Sequence, residues 1–540
     1  MAKEGFDVSE IIRILLKNRE INTDKEIEEF LKPPSPYSLK PEHLKISLVD
    51  LEKAVKRIKK AVKNNEKIII YGDYDTDGVC ATAIIWEVLY QMGAKVMPFI
   101  PKREEGYGMK VERIDQFADE GVSLIITVDQ GITAYPQVDH ARKMGIDVIV
   151  TDHHLPGEKK PRAFSIIHTT ALSGSGVSWF LAKNLGNPDL DLVTIGTVAD
   201  MLPLTGANRA IVYHGLPKLR NTKRLGLKKL YDKAGISSES LGTYEIGFII
   251  GPRINASGRL DDPMESLRLL LTSKEERALS LAQKIDEQNR RRQVLTEEMT
   301  IHARNLWFSQ DGKSKLIFVS HTSYEEGILG LIAGKLVEEF YRPAVVIAQG
   351  ERYSRASARS INGFNIIEAI RSCSDILGSH GGHALAAGFS VETVRIEELK
   401  TRLLEIAEKN LNEEILTPVL KIDLEMDLSF VSLSLFEILK KLEPFGYGNP
   451  EPLFLSRNLI IFDAQTVGDK NQHLKLKVAS LLSRTTFEAI GFGMGGFFDK
   501  LSPEEPVDIV YSLLLERWNN SSSLKLKIKD IRKSKNGEKD

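Results

Sequence analysis

The sequence is short of three things: cysteine, net charge, and apolar runs of membrane length. It has 2 cysteines, Cys80 and Cys373, among 540 residues, which excludes a disulfide framework and suits a reducing compartment. Cys80 falls at the expected apolar start of a helix, where a free cysteine packs rather than reacts. Lysine plus arginine number 73 against 74 aspartates and glutamates, a net charge of −1. That balance excludes a globally basic surface, so any contact with a polyanion must be local. No stretch reaches the apolar length of a membrane span, and Met1 to Glu10 carries no secretory pattern. The expectation is a soluble, cytoplasmic protein that has no membrane partner.

What the sequence does have is a series of acidic stretches, each expected where a β-strand ends: YGDYDTDG (Tyr71 to Gly78), VDQG (Val128 to Gly131), TDHH (Thr151 to His154) and TVADMLPL (Thr197 to Leu204). Lys67 to Tyr71, Val122 to Val128 and Ile146 to Thr151 are short, β-branched, nearly continuous apolar runs, as buried parallel strands are. Helical patterns at Ala81 to Met92 and Ala134 to Met144 lie between them, so the fold class is α/β with a parallel sheet. Ligands of such sheets bind beyond the carboxyl ends of the strands, where the acidic stretches lie.

Gathered there, Asp73, Asp75, Asp77, Asp129, Asp152, His153, His154 and Asp200 would repel one another unless something cationic sat between them. A pair of divalent metals meets that need. Hard oxygen ligands suit magnesium or manganese, an imidazole tilts the choice toward manganese, and zinc fits less well. Asp73, Asp75 and Asp77 alternate, so an extended backbone would project all three to one side, and Gly78 would let the chain turn into the next helix. Taken singly, an aspartate after a strand is ordinarily a helix cap or turn residue, and adjacent histidines can be a satisfied loop pair. The ordered series is what argues for a metal site.

Five segments follow from the pattern. Residues 1–46 form a leader with the proline-rich break KPPSP, 47–262 the metal-binding domain, and 263–312 a connecting helix. Within the last, Ser273 to Phe308 lacks proline and glycine and is rich in good helix formers. Its Asn289-Arg290-Arg291-Arg292 could track phosphates or face solvent. Residues 313–411 form a second α/β domain, with strands at Lys315 to Ser320 and Pro343 to Gln349 and a closing GSHGGHALAAG. There the small backbone would admit a phosphate to amide N–H groups, or merely turn before a helix. Residues 412–540 carry alternating strands such as His473 to Val478 and Leu524 to Ile531, a small β-barrel pattern. Lys525, Lys527, Lys529, Arg532, Lys533 and Lys535 make its end basic, with Trp518 and Phe492 as candidate stacking residues. Gly491, Gly493 and Gly496 fit GxGxxG, but without a βαβ context they do not make a dinucleotide site.

The order DxDxDG, D, DHH, then a later Asp resembles the DHH phosphoesterase superfamily. The rest is similar to its RecJ branch of single-strand-specific exonucleases, through REEGYG (Arg103 to Gly108), GPRINASGRLDD (Gly251 to Asp262), SARSINGFN (Ser357 to Asn365), GGHALAAGFS (Gly381 to Ser390) and EPFGYGNPEPLF (Glu443 to Phe454). This resemblance spans roughly residues 45 to 535. It implies a parallel-sheet DHH domain, a long helix, a DHH-associated domain that closes over substrate, and a C-terminal OB-fold.

It also implies roles. Two Mn2+ or Mg2+ ions per site would be held by Asp73, Asp75 and Asp129, and by Asp77, Asp129, His153 and Asp200, with Asp129 bridging. Asp152 would orient the DHH loop, and His154 and His383 would face the non-bridging phosphate oxygens as part of the catalytic group. Arg253 and Arg259 would hold backbone phosphates, with Asn255 supporting their loop. Arg103, Ser357 and Arg359 would take a 5′ phosphate, and Gly381 and Gly382 would admit the strand. The implied activity is 5′-to-3′ hydrolysis of single-stranded DNA in repair and recombination, with a single-strand-binding protein and a helicase as further partners. A nano-RNase, a nucleotide phosphatase or a non-catalytic replication scaffold are the other readings. Two departures from the family pattern stand out: Tyr324-Glu325 where a Trp-His pair is usual, and His168-Thr169 in place of Asn-Pro.

Overall fold

The computed structural model describes residues 8–106, 108–310, 312–502, 505–518 and 521–534. It divides into two compact units, which do not follow chain order: Lys45–Asp200 with Leu219–Val419, and Met1–Leu44 with Met201–Lys218 and Leu420–Asp540.

The larger unit contains two sheets. The first is all parallel in the order β2-β1-β3-β4-β5. Its strands are β1 (Lys67–Tyr71), β2 (Lys95–Phe99), β3 (Val122–Val128), β4 (Asp147–Asp152) and β5 (Ser165–His168). β1, β3 and β4 are buried along nearly their whole length, which is why they read as continuous apolar runs. β2 is half exposed and contains Pro98, and β5 has 4 residues. As edge strands, both lack that signature.

Helix Thr76–Gln91 follows β1, and helices Gly174–Ala182 and Asp191–Ala199 are wholly or almost wholly buried. Asp200 thus lies at the C-terminus of a helix rather than at the expected strand end. A continuous apolar run of this kind fits a buried helix as well as a strand, and periodicity alone does not separate them. The long helix runs Glu275–Gln310, two residues downstream of the expected span.

The second sheet is mixed, in the order β6-β7-β8-β10-β9, with β6 (Ile317–His321) parallel to β7 (Ala344–Ala348) and the remaining pairs antiparallel. β8 (Tyr353–Arg359) pairs with β10 (Ala386–Glu392), and β9 (Leu377–His383) forms the outer edge. The glycine-rich segment is therefore not a turn before a helix. It is a β-hairpin, with Gly381 and Gly382 on an exposed edge strand.

The smaller unit is an OB-type barrel. Its strands β12 (Phe454–Val467), β13 (His473–Ser480), β14 (Thr486–Gly491), β15 (Val507–Trp518) and β16 (Ser521–Lys533) close through a β12–β15 pairing, and a short β11 (Leu424–Glu425) adds to β12. Residues of the leader belong to its core: Ile11, Leu15, Leu16 and Phe30 pack with Leu435, Leu442, Phe454 and Tyr511. The side chain of Arg209 threads the same unit, its guanidinium donating to the carbonyls of Phe30, Leu442 and Glu443. Much of the expected basic surface is internally neutralised. Lys525 pairs with Glu488 and Glu516, Arg532 with Asp508, and Lys533 with Glu505. Phe492 is exposed beside His473, while the Trp518 side chain and Lys535 lie outside the described residues. Among the described residues no helix is long and apolar enough to cross a membrane.

Candidate metal centre

The acidic side chains converge at the carboxyl ends of β1, β3 and β4. Asp75 caps the helix that begins at Thr76, accepting the Gly78 N–H at 2.9 Å. The stretch from Asp73 to Asp77 is therefore a turn into a helix, not the expected extended segment. Helix nucleation at the aspartate cap outweighs continuation of the strand. The consequence is a split: Asp73 and Asp75 gather with Asp129, while Asp77 gathers with His153 and Asp200, the ligand atoms of each group lying within 4.8 Å of one another. Asp129, His153 and His154 form a third such group. Asp129 and His153 are thus each shared between two clusters, and His153 Nε2 lies 3.1 Å from Asp129 Oδ1 and 3.6 Å from Asp200 Oδ2.

Glycines make the room. A Cβ on Gly174 would lie 2.2 Å from Asp129 Oδ1, and one on Gly196 would lie 2.3 Å from Asp77 Oδ1. The Asp129 backbone has φ +60°, a left-handed conformation that few residues other than glycine adopt without a local reason. Ser175 N–H donates to Asp77 Oδ1 at 3.1 Å, and Gln130 Nε2 donates to the Gly72 carbonyl at 2.5 Å, tying the ends of β1 and β3 together.

Electrostatics show what the cluster lacks. Burial, and then repulsion from neighbouring carboxylates, raises Asp73 to about 8, Asp77 to about 6 and Asp200 to about 9, and pushes Asp129 well above its ordinary range. Asp73 Oδ1 and Asp77 Oδ2 are buried without a hydrogen-bond donor among the described residues. Burial and the adjacent His154 hold His153 down to about 4, so its imidazole is neutral and can ligate. Buried oxygens with no donor, next to neutral imidazole, fit hard divalent cations.

Asp152 is different. Its Oδ2 accepts from Ile132 N–H at 2.8 Å, and its Oδ1 accepts from the backbone N–H of His153 and His154 and lies 2.8 Å from His154 Nδ1. Burial alone would push its pKa up, but these bonds and the neighbouring His154 hold it below the ordinary carboxylate range, so it stays ionised. His168 supports the same loop, its Nε2 lying 2.7 Å from the His154 carbonyl. The histidine that departs from the family pattern thus has a local structural task.

A second cluster of like charge lies alongside. Arg259 is held down to about 9 by burial and then by Arg103, Arg292 and Arg359. Its Nη1 donates to the Gly327 carbonyl at 2.9 Å. Arg103 lies over the Tyr74 ring at 4.4 Å and donates to the Gly258 carbonyl, and Arg359 Nη1 donates to Ser357 Oγ and the Ala358 carbonyl. Gly330 makes room here, since a Cβ on it would lie 2.8 Å from Arg359 Nη2. Asn255 Oδ1 accepts the Thr76 N–H at 2.7 Å, locking the arginine-bearing helix Gly251–Leu260 to the first acidic motif.

Arg253 departs from expectation. Its Nε pairs with Asp286 of the long helix at 3.0 Å and its Nη1 donates to the Ile249 carbonyl, so a buried carboxylate already claims much of the fork expected for phosphate. Arg292 takes its place in the cluster, a residue that the sequence presents only as part of an ambiguous basic run. His383, on the exposed edge strand, is close enough to His153 to contribute to its lowered basicity. Gly174, Gly196 and Gly330 do not stand out in the sequence, because a glycine that makes room for a carboxylate or guanidinium across the fold carries no local signal.

Residues 67–199 match the DHH family N-terminal domain, 313–413 the DHHA1 domain and 422–530 the RecJ OB domain. A single-stranded-DNA-specific exonuclease RecJ of Bacillus subtilis is 35% identical over 546 residues, covering 98% of this chain and 67% of the relative. The chain belongs to the RecJ family. RecJ of Thermus thermophilus, solved in complex with Mn2+, superposes with a TM-score of 0.83 at 31% identity, covering 97% of this chain and 76% of that one. The same protein solved with Mg2+ gives 0.76 at 29% identity, covering 97% and 75%. The RecJ of Thermus thermophilus has thus been solved with both cations that the donor set here fits.

Proposed function

We propose that this chain is a metal-dependent 5′-to-3′ exonuclease of single-stranded DNA, acting in repair and recombination. The observation that carries the reading is the juxtaposition of a carboxylate–imidazole cluster with an arginine cluster. A strand threaded between them satisfies both. Divalent ions on Asp73, Asp75 and Asp129, and on Asp77, Asp129, His153 and Asp200, would supply a water acidic enough to lose its proton near neutrality and would clamp the scissile phosphate.

The chain's own residues do the rest. Asp152 positions the loop that carries both histidines. His154, which that hydrogen bond makes more basic despite burial, and His383 face the non-bridging oxygens, where negative charge grows in the transition state. Arg103, Ser357 and Arg359 receive the terminal 5′ phosphate. Arg259 holds the following backbone, with Asn255 keeping its helix against the metal motif, and Gly381 and Gly382 admit the strand at the sheet edge. Hydrolysis breaks the bond between the 3′ oxygen of the terminal nucleotide and the next phosphorus. The released nucleotide keeps its 5′ phosphate, and the shortened strand presents a new one to the same pocket.

The three matched ranges lie within segments 47–262, 313–411 and 412–540 to within two residues, which supports the order of the three domains, while residues 1–44 and 201–218 pack with the barrel unit. In this reading the enzyme works in the cytoplasm, on strands that a helicase exposes and a single-strand-binding protein covers. The test is hydrolysis of a 3′-labelled, 5′-phosphorylated single strand in manganese, magnesium or chelator, beside the same strand as RNA and as duplex. Stepwise shortening of the DNA strand with metal, and none with chelator, is the expected result. Binding without cleavage under either metal would favour a scaffold, and preference for short RNA a nano-RNase.

A further inference from the structure

Tyr244 and Phe248 lie one turn apart on a helical segment that runs without a break into Gly251–Leu260. Their rings stack, with centroids 4.9 Å apart and planes at 29°. Both are exposed, at 63% and 70%. An isolated exposed aromatic is unremarkable, but a preformed exposed stack is a flat apolar surface offered to solvent, and it calls for an occupant.

Position identifies one. Tyr244 and Phe248 precede Gly251 and Asn255 on one continuous helical segment, the rings exposed and Gly251 buried. Gly251 and Asn255 touch the metal motif: the Gly251 carbonyl accepts from Thr76 Oγ1 at 2.9 Å, and Asn255 Oδ1 accepts from Thr76 N–H. A Cβ on Gly251 would lie 3.4 Å from Ala199, and one on Gly247 3.9 Å from Val198, so the segment also leans on the helix that ends at the ligand Asp200. At no more than 1.5 Å per residue, Phe248 stands within about 10 Å along the axis from Asn255. Residues Ile246–Ile250 between the rings and the arginine-bearing turn form a π-helix, a geometry that recurs at functional sites.

We propose that Tyr244 and Phe248 form a base-stacking platform for the single strand a few nucleotides from the scissile phosphate. The inference rests on the single-strand exonuclease reading. The occupant has to be flat, apolar on its faces and continuous with the substrate at the metal centre, and unpaired bases meet all three conditions. Duplexed bases present no free face, so the platform favours single strands whatever their sequence.

The test uses the full chain carrying Tyr244→Ala and Phe248→Ala together, with Tyr244→Phe and Phe248→Tyr as the ring-preserving control. On a 5′-phosphorylated strand long enough to reach the platform, KM should rise about tenfold in the alanine variant, with kcat little changed and the control like wild type. The effect should vanish on a 5′-phosphorylated dinucleotide. Equal KM on the long strand, or an equal loss on the dinucleotide, overturns the platform. Fluorescence anisotropy in calcium separates this from failure of the functional reading, because it needs no turnover. Wild type should bind a base-bearing strand about tenfold more tightly than an abasic strand of the same length, and the alanine variant should not discriminate. A wild type that discriminates but does not cleave leaves the platform standing and removes the exonuclease, whereas a wild type that cleaves without discriminating does the reverse.

Discussion

The metal centre and the arginine cluster beside it are both gatherings of like charge, yet they are built in opposite ways. The carboxylates come from the adjacent strand ends of one sheet and one buried helix terminus, on short side chains whose positions the backbone fixes. The arginines come from a 3-10 turn (Arg103), the helix Gly251–Leu260 (Arg259), the long helix (Arg292) and β8 (Arg359). Their long side chains reach a common point while borrowing backbone carbonyls on the way. The first cluster is rigid and has few internal partners, so it should fail as a unit. The second is partly satisfied in itself and should fail by degrees.

The sharpest test of that contrast is Asp129→Ala. Asp129 belongs to two of the three ligand groups, so its loss should cost about three orders of magnitude or more in metal-dependent hydrolysis. Thermal melting of the variant should still show a folded protein, since the change also removes a source of repulsion. Full retained activity would take Asp129 out of the bridge. Next in size is Gly196→Ala, which touches no metal ligand chemically but places a Cβ where Asp77 Oδ1 and Ser175 Oγ now lie. A displacement of about an ångström in a reacting constellation can cost about a hundredfold, and that is the loss expected in kcat. Unchanged kcat would mean that the centre adapts and is not rigid.

The same contrast governs how much can be read without coordinates. The convergence of Asp73, Asp75, Asp77, Asp129 and His153 is legible because a parallel sheet brings its strand ends together, so local motifs in order already imply a site, which Asp200 joins from a helix terminus. The secondary structure around Asp200 is not legible, since Asp191–Ala199 is buried all round and shows no helical periodicity. Half-exposed β2 and short β5 escape notice for the converse reason, as they lack a continuous apolar run. On the cationic side, Arg253 and Arg292 cannot be told apart by type or spacing. Only the fold shows that Asp286 captures Arg253 while Arg292 is near enough to Arg259 to lower its basicity. The leader's place in the barrel core is likewise invisible in the sequence, because Ile11, Leu15 and Leu16 form an ordinary amphipathic pattern that does not name its partner.

A smaller effect is expected from Arg359→Ala. A charge-assisted hydrogen bond is worth about 1.5–3 kcal/mol, so kcat/KM on a 5′-phosphorylated strand should fall about ten- to hundredfold. A strand with a 5′ hydroxyl should lose far less, because it never used that contact. Burial already disfavours the Arg359 cation, so the melting temperature should not fall. Equal losses on both substrates would place Arg359 on the backbone path and not in the terminal pocket.

The smallest signal is thermodynamic, and it addresses the acidic cluster without any mutation. Asp73, Asp77 and Asp200 have folded pKa values of about 8, 6 and 9, raised from 3.8 by burial and by one another. For a carboxyl raised in the folded state, the unfolded chain ionises first. The metal-free protein therefore loses stability as pH climbs above about 4 and goes on losing it until the folded groups have also ionised, near 9. Divalent cations act on the ionised form and must displace the protons to bind. The gap in melting temperature between protein with manganese and protein with chelator should thus widen from about a degree near pH 5.5 to several degrees near pH 8.5. Asp129→Ala should flatten that slope, whereas Arg359→Ala should leave it intact. A gap independent of pH would mean that the carboxylates are already ionised and paired without metal, and the distinction between a cluster that fails as a unit and one that fails by degrees would then lose its physical basis.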